Sequence, residues 1–332
     1  MTETILVTAR SFRAIEGPHQ RALEDAGFGV RYSPHDRPLH ADELSELIRD
    51  VAGAILGVDA VSADVIQASA RLKVISRYGI GVDNVDLDAA TERGIVVTNT
   101  PGTNSTSVAE LTMALMLALA RNFPRLDRDV KAGRWTRVYG KELSGATLGV
   151  VGLGRIGRRV AELGSAFGMR CIYYDVVDPP AEVLERLEID YAPWDELLAQ
   201  SDVVTLHLPY TDDTHHVMDE AALAKMKSSA FLINTSRGGL VDEFALYNML
   251  QDGGLGGAAF DAFAEEPPED HPLLALDNVV ATPHIGAATR QSTVRTGQLA
   301  VDNALAVLHG DRPHYVVNSE VYEQHAKERY DK

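Results

Sequence analysis

Residues 147–157 read Thr-Leu-Gly-Val-Val-Gly-Leu-Gly-Arg-Ile-Gly, and this stretch decides the fold. Its first part, Thr147–Val151, is a short apolar run that predicts a strand covered on both faces. The segment Arg155–Phe167, which follows, is helix-like. The glycines of a G-x-G-x-x-G pattern lie in the turn between them, at Gly152 and Gly154, and at the start of the helix-like segment, at Gly157. A strand, a glycine turn and a helix in this order predict the first βαβ unit of a dinucleotide-binding domain.

Each glycine of the pattern has its own physical task. Gly152 allows the tight turn, Gly154 lets a pyrophosphate approach the backbone, and Gly157 lets the helix pack closely on the strand. The first amides of the helix, including those of Arg155 and Ile156, are expected to face the phosphates.

The residue that chooses between the two nicotinamide dinucleotides is predicted to be Asp175. It ends the next apolar run, about 20 residues after the glycine turn, where an acidic side chain binds the ribose hydroxyls. A carboxylate at this position would repel a 2′-phosphate. The sequence therefore predicts NAD, not NADP, as the cofactor.

Short apolar runs recur along the whole chain and alternate with helix-like stretches such as His19–Ala26 and Ala63–Ala70. Strands that alternate with helices predict an α/β protein with parallel sheets. The runs are Ile5–Thr8, Ala52–Leu56, Lys73–Ser76, Ile95–Thr98, Thr147–Val151, Cys171–Tyr174, Val203–His207, Phe231–Asn234 and Val279–Ala281.

Two long helix-like segments are predicted to carry the chain between two domains. The first begins with Ser107-Val-Ala-Glu110, which has the pattern of a capping box, and continues to Arg121 with apolar residues on nearly every side. The second runs from Ala287 to Leu308. We therefore predict one discontinuous domain formed by residues 1–103 and 290–332, with a second domain, residues 104–289, inserted in it.

Composition excludes several classes of protein. The chain has 332 residues, 45% hydrophobic and 24% charged, which is ordinary for a globular protein. Its formal net charge of −17 and the lack of a basic face argue against binding nucleic acid. No apolar run is long enough to span a bilayer and the start of the chain has no targeting pattern. With Cys171 as its single cysteine, the chain is expected to be soluble and cytoplasmic.

Three polar clusters follow apolar runs in the second half of the chain: Asn234–Gly239, Asp261–Pro267 and Thr282–Gly286. In α/β sheets, sites form at the carboxyl ends of strands. The clusters together supply an Arg, a His and a carboxylate. The planar guanidinium of Arg can hold a substrate carboxylate through two hydrogen bonds. The His titrates near neutral pH, and the carboxylate can orient it. Hydride transfer to or from a 2-hydroxy acid needs these residue types.

The order and spacing of these motifs resemble the D-2-hydroxyacid dehydrogenases, close to their phosphoglycerate dehydrogenase branch, from about Ile55 to Pro313. The resemblance implies a Rossmann domain for NAD inserted into a flavodoxin-like substrate domain. It also implies catalytic roles for Arg237, Glu266 and His284 and a nicotinamide-binding role for Asp261. It implies a loop that binds the substrate carboxylate, formed by Arg77, Tyr78, Gly79, Ile80 and Gly81. Further cofactor contacts are expected at His207, Thr235, Ser236 and Gly286.

Several alternatives within the site stay open. Glu265 is a second candidate for the carboxylate that pairs with the histidine. His207 is a rival base, although no carboxylate partner is evident for it. His215 and His216 are adjacent, so on a regular strand or helix they would not share a face, and no metal site is predicted there.

The substrate is not decided by the resemblance. The phosphoglycerate enzymes carry basic residues that bind the substrate phosphate. Arg77 matches one of these residues, and Arg137 is a further candidate. Two positions depart from the pattern: Leu56 is apolar where those enzymes have Arg, and Tyr78 replaces a small residue. The alternatives are another C3-anionic acid or a glyoxylate or hydroxypyruvate reductase. Formate dehydrogenases carry Gln at the position of Glu266, which argues against formate. An NAD-sensing corepressor scaffold is the alternative outside the enzymes.

The regulatory domain of longer members is not expected, because little sequence follows Pro313. A homodimer is predicted, because the apolar helix from Val108 and the segment Asn122–Gly140, which contains Trp135, offer more apolar surface than one domain needs.

Overall fold

The computed structural model describes residues 2–323; the outermost parts of the predicted discontinuous domain, residue 1 and residues 324–332, lie outside them. The chain forms two compact units. The first unit runs up to Asn104 and resumes at Ala288, and the second unit is Ser105–Ala287. The predicted boundaries are 103/104 and 289/290. The roles given to the two domains stay predictions at this point.

The described strands of the first unit form a five-stranded parallel sheet in the order β2-β1-β3-β4-β5. Consecutive side chains of a strand point to opposite faces, so Leu6 of β1 enters one core, while Ile5 and Val7 of the same strand enter the other. The strands are Thr4–Val7 (β1), Gly29–Tyr32 (β2), Gly53–Leu56 (β3), Val74–Arg77 (β4) and Val96–Thr98 (β5).

Helices cover both faces of this sheet. The last of them, α13, packs on α2 and on β3 and β4, with Ala300, Val301 and Ala304 fully buried. Numbered in chain order, the helices of the first unit are Arg10–Ala14 (α1), Pro18–Asp25 (α2), Ala41–Ile48 (α3), Ala63–Ala68 (α4), Leu87–Glu92 (α5) and Arg290–His309 (α13).

The second unit is built on a seven-stranded parallel sheet, counted over the part of the chain that is described, in the order β12-β11-β10-β9-β6-β7-β8. The strand before the glycine turn therefore lies inside the sheet. The strands are Thr147–Val151 (β6), Arg170–Tyr174 (β7), Asp190–Tyr191 (β8), Val203–Leu206 (β9), Phe231–Asn234 (β10), Gly257–Phe260 (β11) and Val279–Ala281 (β12).

The apolar helix α6 is part of the core of the second unit. It packs on α8 and on β10 and β11, and Met116 is completely buried. The helices of this unit are Ser105–Ala120 (α6), Phe123–Lys131 (α7), Arg155–Ala166 (α8), Ala181–Leu187 (α9), Trp194–Gln200 (α10), Glu220–Leu223 (α11) and Glu243–Gln251 (α12), with short 3₁₀ helices at Gly238–Leu240 and Pro272–Ala275.

The predicted fold class, two parallel-sheet α/β domains, is confirmed, and all nine predicted strands are present within one or two residues. The capping box is wrong. The helix begins at Ser105, so Ser107 lies in its first turn and is buried, not at the cap. Among the helices of residues 2–323, none is long and apolar enough to cross a membrane.

Candidate active site

The glycine turn after β6 is shaped by close backbone contacts within the second unit. Gly152 has φ +91°, and a Cβ there would lie 2.6 Å from the carbonyl oxygen of His207. A Cβ on Gly157 would lie 2.0 Å from the carbonyl oxygen of Gly152. A Cβ on Gly154 would meet no protein atom within 4 Å. Gly152 and Gly157 are thus required by the fold, whereas Gly154 leaves the backbone open to a ligand.

The acidic residue at the end of β7 lies directly against this turn. Asp175 Oδ2 accepts a hydrogen bond of 2.7 Å from the amide of Leu153, and Oδ1 accepts one of 3.0 Å from the amide of Val177. Within the described chain, the amides of Arg155 and Ile156 have no protein acceptor. A carboxylate beside free helix amides fits the ribose and pyrophosphate of a dinucleotide.

The other predicted cofactor contacts on this edge already have protein partners. Thr235 Oγ1 is 2.9 Å from Thr112 Oγ1, and Ser236 Oγ donates to the carbonyl of Leu206 at 2.8 Å. His207 Nε2 is 3.0 Å from Thr205 Oγ1. These bonds fix the strand ends of β9 and β10 next to the glycine turn.

His207 is a poor candidate for the base. Burial lowers the pKa of its imidazole to about 3, so the ring is neutral throughout the physiological range. Its Nδ1 is buried without a hydrogen-bond partner in residues 2–323. A neutral ring with one spare nitrogen suits a pocket wall better than proton transfer.

The clusters after β11 and β12 bring a histidine and a carboxylate together. His284 Nδ1 is 2.8 Å from Glu266 Oε2 and 3.0 Å from Oε1. Both side chains are only partly exposed, at 44% and 39%. The neighbouring candidate, Glu265, is exposed, and it is Glu266 that contacts the imidazole.

This contact changes the titration of both groups. The hydrogen bond that His284 donates to Glu266 raises the pKa of the imidazole, against the opposing effect of burial. Burial alone would raise the pKa of Glu266, but its hydrogen bond and charge interaction with His284 lower it on balance. The pair therefore favours a charged imidazolium beside an ionised carboxylate, which is the arrangement a general acid needs.

The third predicted residue, Arg237, follows β10 in a turn packed against the Glu266 loop. A Cβ on the next residue, Gly238, would lie 1.9 Å from the carbonyl carbon of Phe263, so only glycine permits this contact. The side chain of Asn234 donates to the carbonyl of Arg237 at 2.8 Å. The charge of Arg237 acts on the same pair, where it lowers the pKa of both His284 and Glu266.

Asp261 organises the loop that carries the histidine. Its carboxylate is buried and accepts from Thr282 Oγ1 at 2.6 Å and from the amides of Ile285 at 2.8 Å and Gly286 at 2.7 Å. All of these contacts lie within the second unit. Asp261 therefore fixes the backbone on both sides of His284.

Two contacts of Glu243 stabilise this site and could not be predicted from the sequence. Glu243 Oε1 accepts from the amide of Ala264 at 2.9 Å, and Glu243 Oε2 is 3.0 Å from His271 Nε2. Together they hold the segment that carries Glu266. Glu243 lies at the start of α12, where an acidic residue is expected for helix stability alone, so its second contact has no sequence signal.

In the first unit, the predicted carboxylate loop follows β4. Its amides at Gly79–Gly81 have no acceptor among the described residues, which suits an anion. Arg77 is only 6% exposed, and its guanidinium donates to the carbonyls of Leu56 and Gly81, each at 3.0 Å. Tyr78 Oη donates to the carbonyl of Thr293 at 2.9 Å, and burial raises the pKa of this phenol.

The candidates that remain are Arg137, His215 and His216. Arg137 is exposed on the second unit. The expectation for His215 and His216 applied to a regular strand or helix, and it is not tested here; their rings stack with centroids 3.8 Å apart. They lie in a turn where His216 has φ +50°, not on a strand or helix. Residues 2–323 contain no group of three or more His, Cys, Asp or Glu side chains that could hold a metal.

Comparison with known proteins gives one consistent family. Residues 113–286 match the NAD binding domain of the D-isomer specific 2-hydroxyacid dehydrogenases. The D-3-phosphoglycerate dehydrogenase of Methanocaldococcus jannaschii is 46% identical over 84% of this chain, which spans only 54% of that protein. The glyoxylate reductase of Thermofilum pendens is 40% identical over 93% of this chain and 94% of its own length.

A solved structure supports both the fold and the cofactor. The D-lactate dehydrogenase of Aquifex aeolicus, complexed with NAD and lactic acid, superimposes with a TM-score of 0.81 at 32% identity, covering 96% of this chain and 99% of that one. The predicted family and the predicted cofactor are therefore confirmed. The chain belongs to the D-isomer specific 2-hydroxyacid dehydrogenases, the NAD-dependent oxidoreductases that act on the CH–OH group of 2-hydroxy acids.

Proposed function

We propose that this enzyme reduces a small 2-keto acid to the D-2-hydroxy acid with NADH, using His284 as the proton donor. One observation carries the proposal: the imidazole of His284 is bonded to Glu266 at 2.8 Å, and the loop of Arg237 packs against the segment that holds this carboxylate. An acid, its orienting carboxylate and a fixed cation are the three groups that this reduction requires.

The hydrogen bond at Nδ1 determines which nitrogen of His284 can give a proton to the substrate. With Nδ1–H donated to Glu266, the charged ring of His284 has Nε2–H left to give to the C2 oxygen of the substrate. Glu266 keeps the ring in place and stabilises its positive charge. Bound NADH supplies the hydride that C2 accepts. In the reverse direction, neutral His284 takes the hydroxyl proton as a general base.

Each unit is proposed to carry one group that can bind a carboxylate. Arg237 offers a guanidinium that binds the carboxylate and polarises the C2 oxygen. The loop Gly79–Gly81 offers three backbone amides without protein acceptors in the described chain. A basic group for a substrate phosphate is not supported in the first unit, since Leu56 is a buried leucine and Arg77 is bonded to carbonyls. Glyoxylate and hydroxypyruvate are therefore favoured over a phosphorylated acid.

The cofactor is proposed to be held by the glycine turn and its neighbours. The amides of Arg155 and Ile156 bind the pyrophosphate, and Asp175 binds the ribose hydroxyls and rejects a 2′-phosphate. His207, Thr235 and Ser236 form part of the pocket wall.

Two further roles are proposed near the catalytic histidine. Asp261 and Gly286 lie toward the nicotinamide, where Asp261 also fixes the histidine loop. The fixing of the histidine loop is supported by the three hydrogen bonds that the Asp261 carboxylate accepts on either side of His284.

The direct test is NADH oxidation with a panel of 2-keto acids. We expect turnover with glyoxylate and hydroxypyruvate, weaker turnover with phosphohydroxypyruvate, and the D-enantiomer as the product of hydroxypyruvate reduction. The control is the His284→Ala variant under the same conditions. Turnover that is confined to the phosphorylated acid would reject the substrate class, and no turnover with any acid would reject the enzymatic role.

We also propose a cytoplasmic homodimer. The support is the aromatic surface of the segment after α6: α7 has no buried residue, and Phe123, Trp135 and Tyr139 are exposed at 65%, 81% and 100%. Large aromatic side chains are enriched at protein interfaces. The cytoplasmic location is supported by the single cysteine, Cys171, which is buried and unpaired.

A further inference from the structure

In the loop Gly79–Gly81 the carbonyl oxygens accept hydrogen bonds from the protein, whereas the amides donate none within the described residues. The three carbonyls all accept from the first unit itself: Gly79 from the amide of Thr100 at 3.0 Å, Ile80 from Asn99 Nδ2 at 2.9 Å, and Gly81 from Arg77 Nε at 3.0 Å. The amides of the same residues donate to no acceptor within residues 2–323. A loop bonded only through its oxygens leaves its hydrogen-bond donors for a ligand.

Arg77 is the centre of this arrangement. It is 6% exposed, and its guanidinium joins the loop to the end of β3 by donating to the carbonyls of both Gly81 and Leu56. A planar fork makes two such contacts in fixed geometry, which a lysine cannot do. The guanidinium also places a positive charge behind the amides, where it adds to their attraction for an anion.

The neighbouring strand end completes the support from the other side. Asn99 and Thr100 follow β5 directly, and the carbonyl of Asn99 accepts from Asn303 Nδ2 of α13 at 3.0 Å. At the far end of the loop, Asn84 Nδ2 donates to the carbonyl of Asp59 at 2.5 Å. The loop is therefore held by β3, β5 and α13 together, not by its own sequence alone.

We propose that Arg77 and Asn99 are positioning residues that set the loop amides for the substrate carboxylate, and that Arg77 is not itself a ligand for a group at C3. The inference rests on the proposed function, because it takes the loop to bind the carboxylate. It differs from the expectation raised by the sequence, in which Arg77 was a candidate for binding a substrate phosphate.

The first variant is Arg77→Lys, which keeps the charge but loses the two-pronged contact. We expect KM for glyoxylate and hydroxypyruvate to rise about tenfold, since a tenfold change corresponds to one lost hydrogen bond of about 1.4 kcal/mol. The value of kcat and the KM for NADH should change less than about threefold. The second variant, Asn99→Asp, sets an oxygen against the Ile80 carbonyl and should give the same split between KM and kcat. Asn99→Asp keeps the test decisive if Arg77→Lys prevents folding.

The matched control is Arg93→Lys. Arg93 donates to the carbonyl of Ser69 at 2.7 Å and lies at the C-terminus of α5, before β5 begins, so it is bonded in the first unit without contacting the loop. Its KM values should stay at the wild-type level. Thermal unfolding of all variants separates a local effect on the loop from a general loss of stability.

The comparison of hydroxypyruvate with its phosphate ester distinguishes positioning from direct binding. Both acids have the same carboxylate, so positioning predicts that Arg77→Lys raises both KM values by a similar factor. A rise for the phosphate ester alone would show that Arg77 binds the phosphate and would overturn the inference, as would unchanged KM values for both acids. A wild-type enzyme that reduces no 2-keto acid would contradict the proposed function instead.

Discussion

His284 has a backbone that few residues of its type adopt. Its φ is +52°, in the left-handed region that disfavours a side chain, although His tolerates it better than most residues. Asp261 compensates by accepting the next two backbone amides, those of Ile285 and Gly286. The unusual conformation aims the imidazole at Glu266, and it is stable because a buried carboxylate fixes it.

The first prediction at the residue scale is that His284→Ala lowers kcat for 2-keto acid reduction about 10²- to 10⁴-fold, the range for losing a general acid. The affinity for NADH should change little, because the imidazole acts on the substrate. Steady-state kinetics and NADH fluorescence titration measure the two quantities. His309→Ala, which removes an exposed histidine at the end of α13, is the control and should keep normal turnover. Near-normal turnover of His284→Ala would reject the assignment.

The second prediction concerns pH. Reduction needs protonated His284, and the Glu266 contact raises the pKa of this imidazole. The rate of reduction should therefore be constant at low pH and fall as the pH rises through the raised pKa. Glu266→Gln removes the charge that stabilises the imidazolium, so the fall should move to lower pH. Glu265→Gln is the matched control and should leave the pH profile unchanged; a shift with this variant would assign the role to Glu265.

The third prediction concerns cofactor choice. Asp175→Asn removes the negative charge while its side-chain oxygen can still accept a bond from the glycine turn. The preference for NADH over NADPH, measured as the ratio of the two kcat/KM values, should fall by about tenfold or more, the scale of one charge-assisted hydrogen bond. Asp178→Asn, an exposed acidic residue nearby in sequence, should leave that ratio unchanged. Equal use of both cofactors by the wild type would contradict the role of Asp175.

At the scale of elements, the turn between β6 and α8 offers two alanine substitutions with opposite effects. Gly157→Ala would place a Cβ 2.0 Å from a backbone oxygen, so it should strongly lower the melting temperature or prevent folding. Gly154→Ala meets no protein atom within 4 Å, so the melting temperature should stay near that of the wild type while NADH affinity falls. Thermal melts and NADH titration test the pair. Unchanged NADH affinity in Gly154→Ala would show that the cofactor does not approach this residue.

The strands that could be predicted from sequence are those buried on both faces with branched side chains. Thr147–Val151 and Phe231–Asn234 are examples, and the structure reproduces their bounds. Gly257–Phe260 was missed because Gly-Ala-Ala-Phe has little strand preference, although the strand is completely buried in the sheet. Gly29–Tyr32 is only half-buried, and Asp190–Tyr191 has only two residues, so neither has a clear apolar run.

The site was predictable to the extent that its residues stand in short motifs at strand ends. The sequence pointed to His284 and Glu266 as a pair, and the structure brings them within hydrogen-bonding distance. It gave no sign of the contact between Glu243 and the Ala264 amide, nor of the burial of Arg77. Both depend on which segments the fold places side by side, and spacing along the chain does not carry that information.

At the scale of the whole molecule, the chain leaves the first unit and returns to it through segments that are bonded to each other inside that unit. Thr103, just before the departure, accepts a hydrogen bond of 2.9 Å from Arg295 Nε at its carbonyl and one of 2.8 Å from Thr296 Oγ1 at its hydroxyl. Both partners lie in α13, just after the return. The segments before and after the insertion are therefore hydrogen-bonded to each other within the first unit. These bonds let the first unit form its sheet although its sequence is interrupted.

The last prediction concerns assembly. Exposure of the aromatic side chains in the segment after α6 to water is unfavourable. An isologous dimer would bury them in pairs. We expect a species of about 72 kDa, twice the 36.0 kDa of the chain, in sedimentation at micromolar concentration. Trp135→Glu combined with Phe123→Glu should shift it to 36.0 kDa without lowering helix content.

The matched control for the dimer is Phe167→Glu. This side chain is also exposed on the second unit, at 42%, but it lies at the C-terminus of α8, outside the segment 122–140. A charge there should leave the dimer intact, because only the aromatic surface after α6 is expected to pair. A wild type that sediments only at 36.0 kDa would contradict the dimer. Dissociation by Phe167→Glu alone would place the interface elsewhere on the second unit.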